Sequence, residues 1–178
     1  MGGVAVSAPA EASGSIPSAD DLIARVRSYH PKADGDLIRR AYDYSREKHA
    51  HQKRHSGEPY YGHTVAVAML LADLRLDVAT VCTGLLHDTV EDTEATLEEI
   101  AELFGEDVAR LVDGETKLSQ MELISKRTRQ AENFQKLVLA ITDDVRVLLV
   151  KLCDRLHNMR TLHFVKSEDK RRRIALET

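Results

Sequence analysis

An all-α fold is the expectation for this chain, and three observations predict it. Apolar residues recur at helical spacing through most of the sequence. No alternating strand pattern of useful length appears. Helix start and stop signals divide the chain into segments joined by short loops, with no internal repeats. At 178 residues it fits one domain with room for a real core.

Residues 1–17 are mostly Ala, Gly, Ser, Pro and Val, with one charge at Glu11. Such a stretch buries too little apolar surface to offset its ordering entropy, so it reads as a disordered tail. The ordered domain is expected over 18–178. Ser18 with Asp21 forms a capping box ahead of Leu22, Ile23 and Val26, and Pro31 ends that helix. A second helix is expected from about Asp36 to His51. Gly57 and Pro59 break the periodicity in the loop Lys53–Pro59. A third helix starts near His63, and a fourth runs from about Val78 to the pair His87-Asp88. Thr96 and Glu99 form another capping box, and Gly105 closes that helix. Helices are expected around 106–118 and 126–140. Asp143 or Asp144 then opens a long helix to about Leu162, and a last one begins near Glu168.

Composition excludes several classes of function. Aromatics are 4% with no Trp, too few for single-strand nucleic-acid binding by base stacking. The net charge of −4 provides no global field toward nucleic acid or membrane, so an anionic ligand needs a local basic patch. No run approaches a membrane span, and residues 1–17 lack the basic start and long apolar stretch that a signal peptide would show. Cys82 and Cys153 sit in apolar helical patterns and read as buried thiols of a cytoplasmic protein.

The run His87-Asp88-Thr89-Val90-Glu91-Asp92, with His63 before it and Asp154 on a later helix, carries the chemistry. Two imidazoles and two carboxylates can give a divalent ion four ligands. A mixed N/O set with two further acids points to a hard ion such as manganese, with water in the remaining positions, and to metal-assisted hydrolysis. In the long helix Val145, Leu148, Leu149, Leu152, Leu156 and Met159 form the expected core stripe. Asp154 lies on a second apolar row with Val147 and Val150, so it is expected to be partly buried and to need a partner, either a metal or a neighbouring Arg. Asn158 and Thr161 extend its face. Glu91 and Asp92 read alternatively as a solvated acidic turn. His49, His51 and His55 have polar neighbours and are expected at the surface. His157 is expected to pack or to bind backbone.

Three segments together resemble a known family: Tyr60-Tyr61-Gly62-His63, the stretch from Leu85 to Thr93, and LLVKLCDRLHNMRTL from Leu148 to Leu162. They look like the hydrolase domain of the Rel/Spo alarmone enzymes, within the HD metal-dependent phosphohydrolase superfamily, and the likeness covers roughly 20–178. The resemblance implies a compact multi-helix HD-domain bundle. It implies a bacterial, manganese-dependent 3′-pyrophosphohydrolase that converts ppGpp and pppGpp to GDP or GTP plus pyrophosphate, ending the stringent response. By motif position the metal ligands are His63, His87, Asp88 and Asp154. Glu91 and Asp92 are the acids acting on water. Arg54 lies against the guanine with His55 and Ser56 beside it, and Asn158 and Thr161 contact the nucleotide. Long family members continue into a synthetase domain, so this chain is expected to be a fragment of a bifunctional enzyme, with no membrane and no direct nucleic-acid partner of its own.

The chain departs from the family pattern at four places: His55 for a frequent Lys, which makes one cationic contact pH-dependent, Thr64 for a common Pro, Glu115 for an apolar residue, and Cys153 for Ala. Two other functions compete. One is an HD phosphohydrolase acting on another nucleotide. The other is a silent alarmone-binding domain that regulates a synthetase.

Overall fold

The computed structural model describes residues 15–125 and 144–177, and among them every regular element is a helix. Four early helices follow the local signals closely. Ser18 opens α1 (Ala19–Tyr29) with both halves of its capping box, and Asp34 caps α2 (Gly35–Lys48) by accepting from the Leu37 N–H. α3 (Tyr61–Asp73) has no side-chain cap, and α4 (Val78–Leu86) is capped by Asp77. The chain turns once more through α5 (Thr89–Asp92). It continues into α6 (Leu97–Phe104), which is capped by Thr96 and ends at Gly105.

The later elements differ from expectation in length and in facing. α7 runs Glu106–Ser125, past the expected stop near 118. α8 (Val145–Arg160) is capped by Asp144 and is followed by the last helix, α9 (Glu168–Glu177). The tail expected over 1–17 is corrected at its end: the Pro17 carbonyl accepts from the Tyr42 hydroxyl at 2.9 Å, and Ile16 packs on Gly62. Residues 1–14 of that tail, and the helix expected over 126–140, lie outside the described residues.

The α3–α4 pair is the axis of the bundle. α1 and α2 cover one flank, α6 packs on α7, and α7 and α8 close the other side. Leu22, Ile38, Leu71, Leu85 and Leu86 are fully buried around that axis. On α8 the expected core stripe is wrong for most of its members. Val145, Leu152, Leu156 and Met159 are exposed and Leu149 packs on the core in part, while Val147, Val150, Cys153 and Asp154 face the bundle. Both rows are apolar, and periodicity alone cannot say which one meets α3, α4 and α7. The consequence is functional, because the buried row is the one that carries Asp154.

Two glycines set helix spacing. A Cβ on Gly84 would stand 2.6 Å from Leu71 Cδ1 and 3.1 Å from the Ala68 backbone, so α3 and α4 touch almost backbone to backbone. A Cβ on Gly114 would stand 2.8 Å from Val147, which is the close contact of α7 with α8. Gly84→Ala gains about 1 kcal/mol of helix propensity but forces overpacking that costs roughly 1–3 kcal/mol. A net loss of stability is expected, read as a lower Tm by circular dichroism. A raised Tm would mean that the two helices separate freely.

Candidate active site

Three helices aim ligand-type side chains at one buried point. His63 comes from the first turn of α3, His87 and Asp88 directly follow α4, and Asp154 comes from α8. His63 Nε2 is 3.1 Å from Asp154 Oδ1 and 3.6 Å from Asp88 Oδ2. His87 Nε2 is 3.1 Å from Asp88 Oδ2 and 3.9 Å from Asp154 Oδ1. Donors bound at roughly 2.1 Å stand about 3 Å apart along an octahedral edge, so this spacing suits a divalent ion. The donor chemistry agrees. His87 is fully buried, its Nδ1 faces the Gly84 carbonyl at 2.9 Å, and its Nε2 makes no well-formed hydrogen bond within the protein. A buried polar atom left so is costly unless something binds it.

The charges respond to one another. Burial pushes His87 down, but the Asp88 and Asp154 carboxylates outweigh it and raise the imidazole to about 10. Burial pushes Asp88 and Asp154 up, and the imidazoles beside them win there too, holding both below the usual carboxylate range. For His63 burial dominates and the shift is downward.

Glu91 and Asp92 stand on α5 with their outer sides open to solvent. They point to different neighbours. Burial, then the charge of Glu115, raises Glu91 to about 7, with Ser119 and Lys151 on that side. Burial, then Asp88, raises Asp92, whose other neighbours are Tyr60 and His49. Glu115, the departure that the sequence flagged, is fully buried in α7. Its Oε1 accepts from Lys151 Nζ at 2.8 Å and from the Ser119 hydroxyl at 3.2 Å. Lys151 Nζ is also 3.7 Å from Asp154 Oδ2, so the extra carboxylate is compensated behind the ligand cluster.

A cavity of about 760 Å³ opens beside His63 and Asp154. Arg54, His55, Ser56, Asn158 and Thr161, the expected substrate residues, all line it. The Arg54 guanidinium donates to Asn158 Oδ1 at 2.7 Å and to Thr161 Oγ1 at 3.3 Å, and lies 5.7 Å from the Tyr60 ring centre. Asn158 in turn donates to Asp154 Oδ1 at 2.7 Å. Lys170 of α9 donates to His55 Nε2 at 2.8 Å and ties the last helix to the loop.

Four residues were missed or misplaced by sequence reasoning, one of them the Lys151 that backs Asp154. Tyr60 donates to Asp88 Oδ2 at 2.8 Å, and its position three residues before His63 was the available signal. His157, expected to pack or bind backbone, meets His63 Nδ1 through its own Nδ1 at 2.8 Å. It follows Asp154 by three residues on the same face. His49, expected at the surface, is fully buried and bonded to Gln52.

A family profile described as HD domain matches residues 41–178. The chain belongs to the HD-domain family. Among the relatives of this HD domain, the "GTP pyrophosphokinase rsh" of Brucella ovis is 55% identical over 158 residues, 89% of this chain and 21% of that protein. The "Bifunctional (p)ppGpp synthase/hydrolase SpoT" of Escherichia coli K12 is 48% identical over 153 residues, 86% of this chain and 22% of that protein. The chain thus spans about a fifth of the length of the curated relatives it matches. A solved structure described as a metazoan ortholog of SpoT that hydrolyzes ppGpp superposes with a TM-score of 0.60 at 25% identity. That match covers 78% of this chain and 79% of the other. The Rel/Spo resemblance and the all-α HD-domain bundle expected from the sequence are borne out. Among the described residues no helix is long and apolar enough to cross a membrane.

Two outcomes follow for metal binding. Without a metal, the raised pKa of His87 contributes stability that is complete below about 6.5 and lost as pH climbs through about 10. An ion binding at its Nε2 must release that proton, so manganese affinity is expected to rise about tenfold per pH unit near neutrality. Calorimetry in buffers of different ionisation heat reads the proton directly, and a pH-independent affinity would exclude His87 as a ligand. Asp154→Ala should lose the ion, and full manganese occupancy in that variant by elemental analysis would remove Asp154 from the set.

Proposed function

We propose that this domain hydrolyses the 3′-pyrophosphate of ppGpp and pppGpp with manganese as cofactor, releasing GDP or GTP and pyrophosphate and so ending the stringent response. The observation that carries the reading is the junction of two sites. His63 and Asp154, two members of the proposed ligand cluster, line one cavity with Arg54, Asn158 and Thr161, and Asn158 bridges the two groups by its bond to Asp154. Relatives named for (p)ppGpp synthesis and hydrolysis support the substrate class.

His63, His87, Asp88 and Asp154 would hold the ion, and their mixed N/O character favours manganese over a closed zinc site. When bound, such an ion supplies Lewis acidity toward a phosphoryl oxygen and toward the attacking water. The chain supplies the rest. Asp92, beside Asp88 and Tyr60, takes the proton of the attacking water on a carboxylate oxygen. Glu91, titrating at about 7 on the other side of α5, can hold or release a proton at working pH. Water adds to the phosphorus next to the ribose, the P–O3′ bond breaks, and the 3′-oxygen leaves with a proton. The Arg54 plane faces the base while its charge offsets nearby phosphate.

Incubation with ppGpp and manganese is expected to yield GDP and pyrophosphate in equal amounts. Release of inorganic phosphate, or turnover of another 3′-phosphorylated nucleotide in preference, would favour a different HD phosphohydrolase. Asp92→Asn should keep the metal and lower kcat by ~10²-fold or more, and retention of wild-type turnover would refute its role. Arg54→Lys keeps the charge but loses the plane and the fork to Asn158 and Thr161, so KM for ppGpp should rise. An unchanged KM would mean that the base is held elsewhere.

A further inference from the structure

We propose that His157 is a positioning residue for His63 and, through its other ring nitrogen, a hydrogen-bond donor to a phosphate oxygen of the bound substrate. The argument starts from the 2.8 Å contact between the two Nδ1 atoms. His63 turns Nε2 toward Asp154 and Asp88, so Nε2 is the nitrogen that meets the ion. A ligating nitrogen is bare, and the proton of neutral His63 then sits on Nδ1. That proton has one place to go, the Nδ1 of His157, which must also be bare to accept it. His157 is therefore neutral and carries its own proton on Nε2.

Ligating histidines are usually oriented by a carboxylate or a backbone carbonyl. Here an imidazole does the work, and the difference matters for a polyanion. A carboxylate at this position would add negative charge to the cavity wall. His157 fixes the ring of His63 without adding any, and it lines the same cavity as Asp154, Arg54 and Asn158. Its Nε2–H has no protein partner among the described residues, and a phosphate oxygen is the acceptor that the cavity chemistry supplies. Orientation of His63 stands apart from the substrate assignment, whereas donation to phosphate rests on the ppGpp reading.

Three variants separate the roles: His157→Ala, His157→Asn and His157→Gln. Asn places an acceptor near the Nδ1 position, and Gln places an N–H near the Nε2 position. Manganese titration of the metal-free protein should show affinity ~10–100-fold weaker in the Ala variant, and largely restored by Asn but not by Gln. At saturating manganese the KM for ppGpp should rise in Ala and stay raised in Asn, with Gln below Ala. A merely structural histidine would give one common defect in all three. If Asn binds manganese no better than Ala, the positioning role is wrong. If KM in Asn equals that of wild type, the donor role is wrong. If the wild type binds manganese but does not turn over ppGpp, the functional reading fails while the metal titrations still decide the positioning role.

Discussion

Everything in this domain answers to one constraint: two imidazoles are each brought within 3.1–3.9 Å of two carboxylates inside a helical core. Burying an isolated charge is expensive, and the expense is contained only when each group has a partner in good geometry. The fold supplies those partners from its own helices. Tyr60 holds Asp88, Asn158 and Lys151 flank Asp154, the Gly84 carbonyl fixes His87, and His157 holds His63. The cluster still leaves His87 Nε2 without a well-formed bond. Nearly satisfied within the protein, with one buried donor atom open at its centre, is the condition of a site built to receive a cation.

The helix spacing serves the same constraint. His63 and His87 belong to adjacent helices, and their distance is set by how closely α3 and α4 approach at Gly84. Asp154 reaches the cluster because α8 turns its Val147–Val150 row inward, and that facing is held by the contact of Val147 with Gly114. Glu115 lies one residue along α7 from that contact. Its carboxylate points to Lys151 on α8, so one junction between α7 and α8 carries both the packing and the charge compensation. The buried carboxylate is thus tolerated because a cation one turn before Asp154 meets it.

The clustering of His87, Asp88 and Asp154 was legible in the sequence because its signals are local: a His-Asp pair ending an apolar helix, and an acid on an apolar row. Helical spacing put Asn158 and Thr161 on the face of Asp154, but Arg54 came only through the family resemblance, since nothing in the spacing says that a loop at 54 meets a helix at 158. The facing of α8 was not legible. Leu152 and Leu156 are as apolar as Val147 and Val150, and only the tertiary arrangement decides between the rows. His49 was misread for a related reason: polar sequence neighbours describe the chain beside a residue, not the side of the helix it occupies. His157, Tyr60 and Lys151 escaped because each works through another side chain, a role without a residue pattern of its own.

Those second partners also connect the proposed metal ligands to the proposed nucleotide wall. Arg54 bonds Asn158, Asn158 bonds Asp154, Asp154 faces His63, and His63 bonds His157, so the chain of contacts leaves the cavity wall and returns to it. An anion drawing Arg54 toward itself would loosen its hold on Asn158, and Asn158 shares the Oδ1 atom that faces His63. Under the proposed function, substrate would thus act on metal affinity through the Asp154 oxygen that Asn158 and His63 share. Linkage requires that any such effect be reciprocal: whatever substrate does to metal affinity, metal does to substrate affinity by the same factor. With α8 supplying Asp154, His157 and Asn158 within a single turn and a half, the proposed metal and nucleotide contacts would share one scaffold and would not be independent.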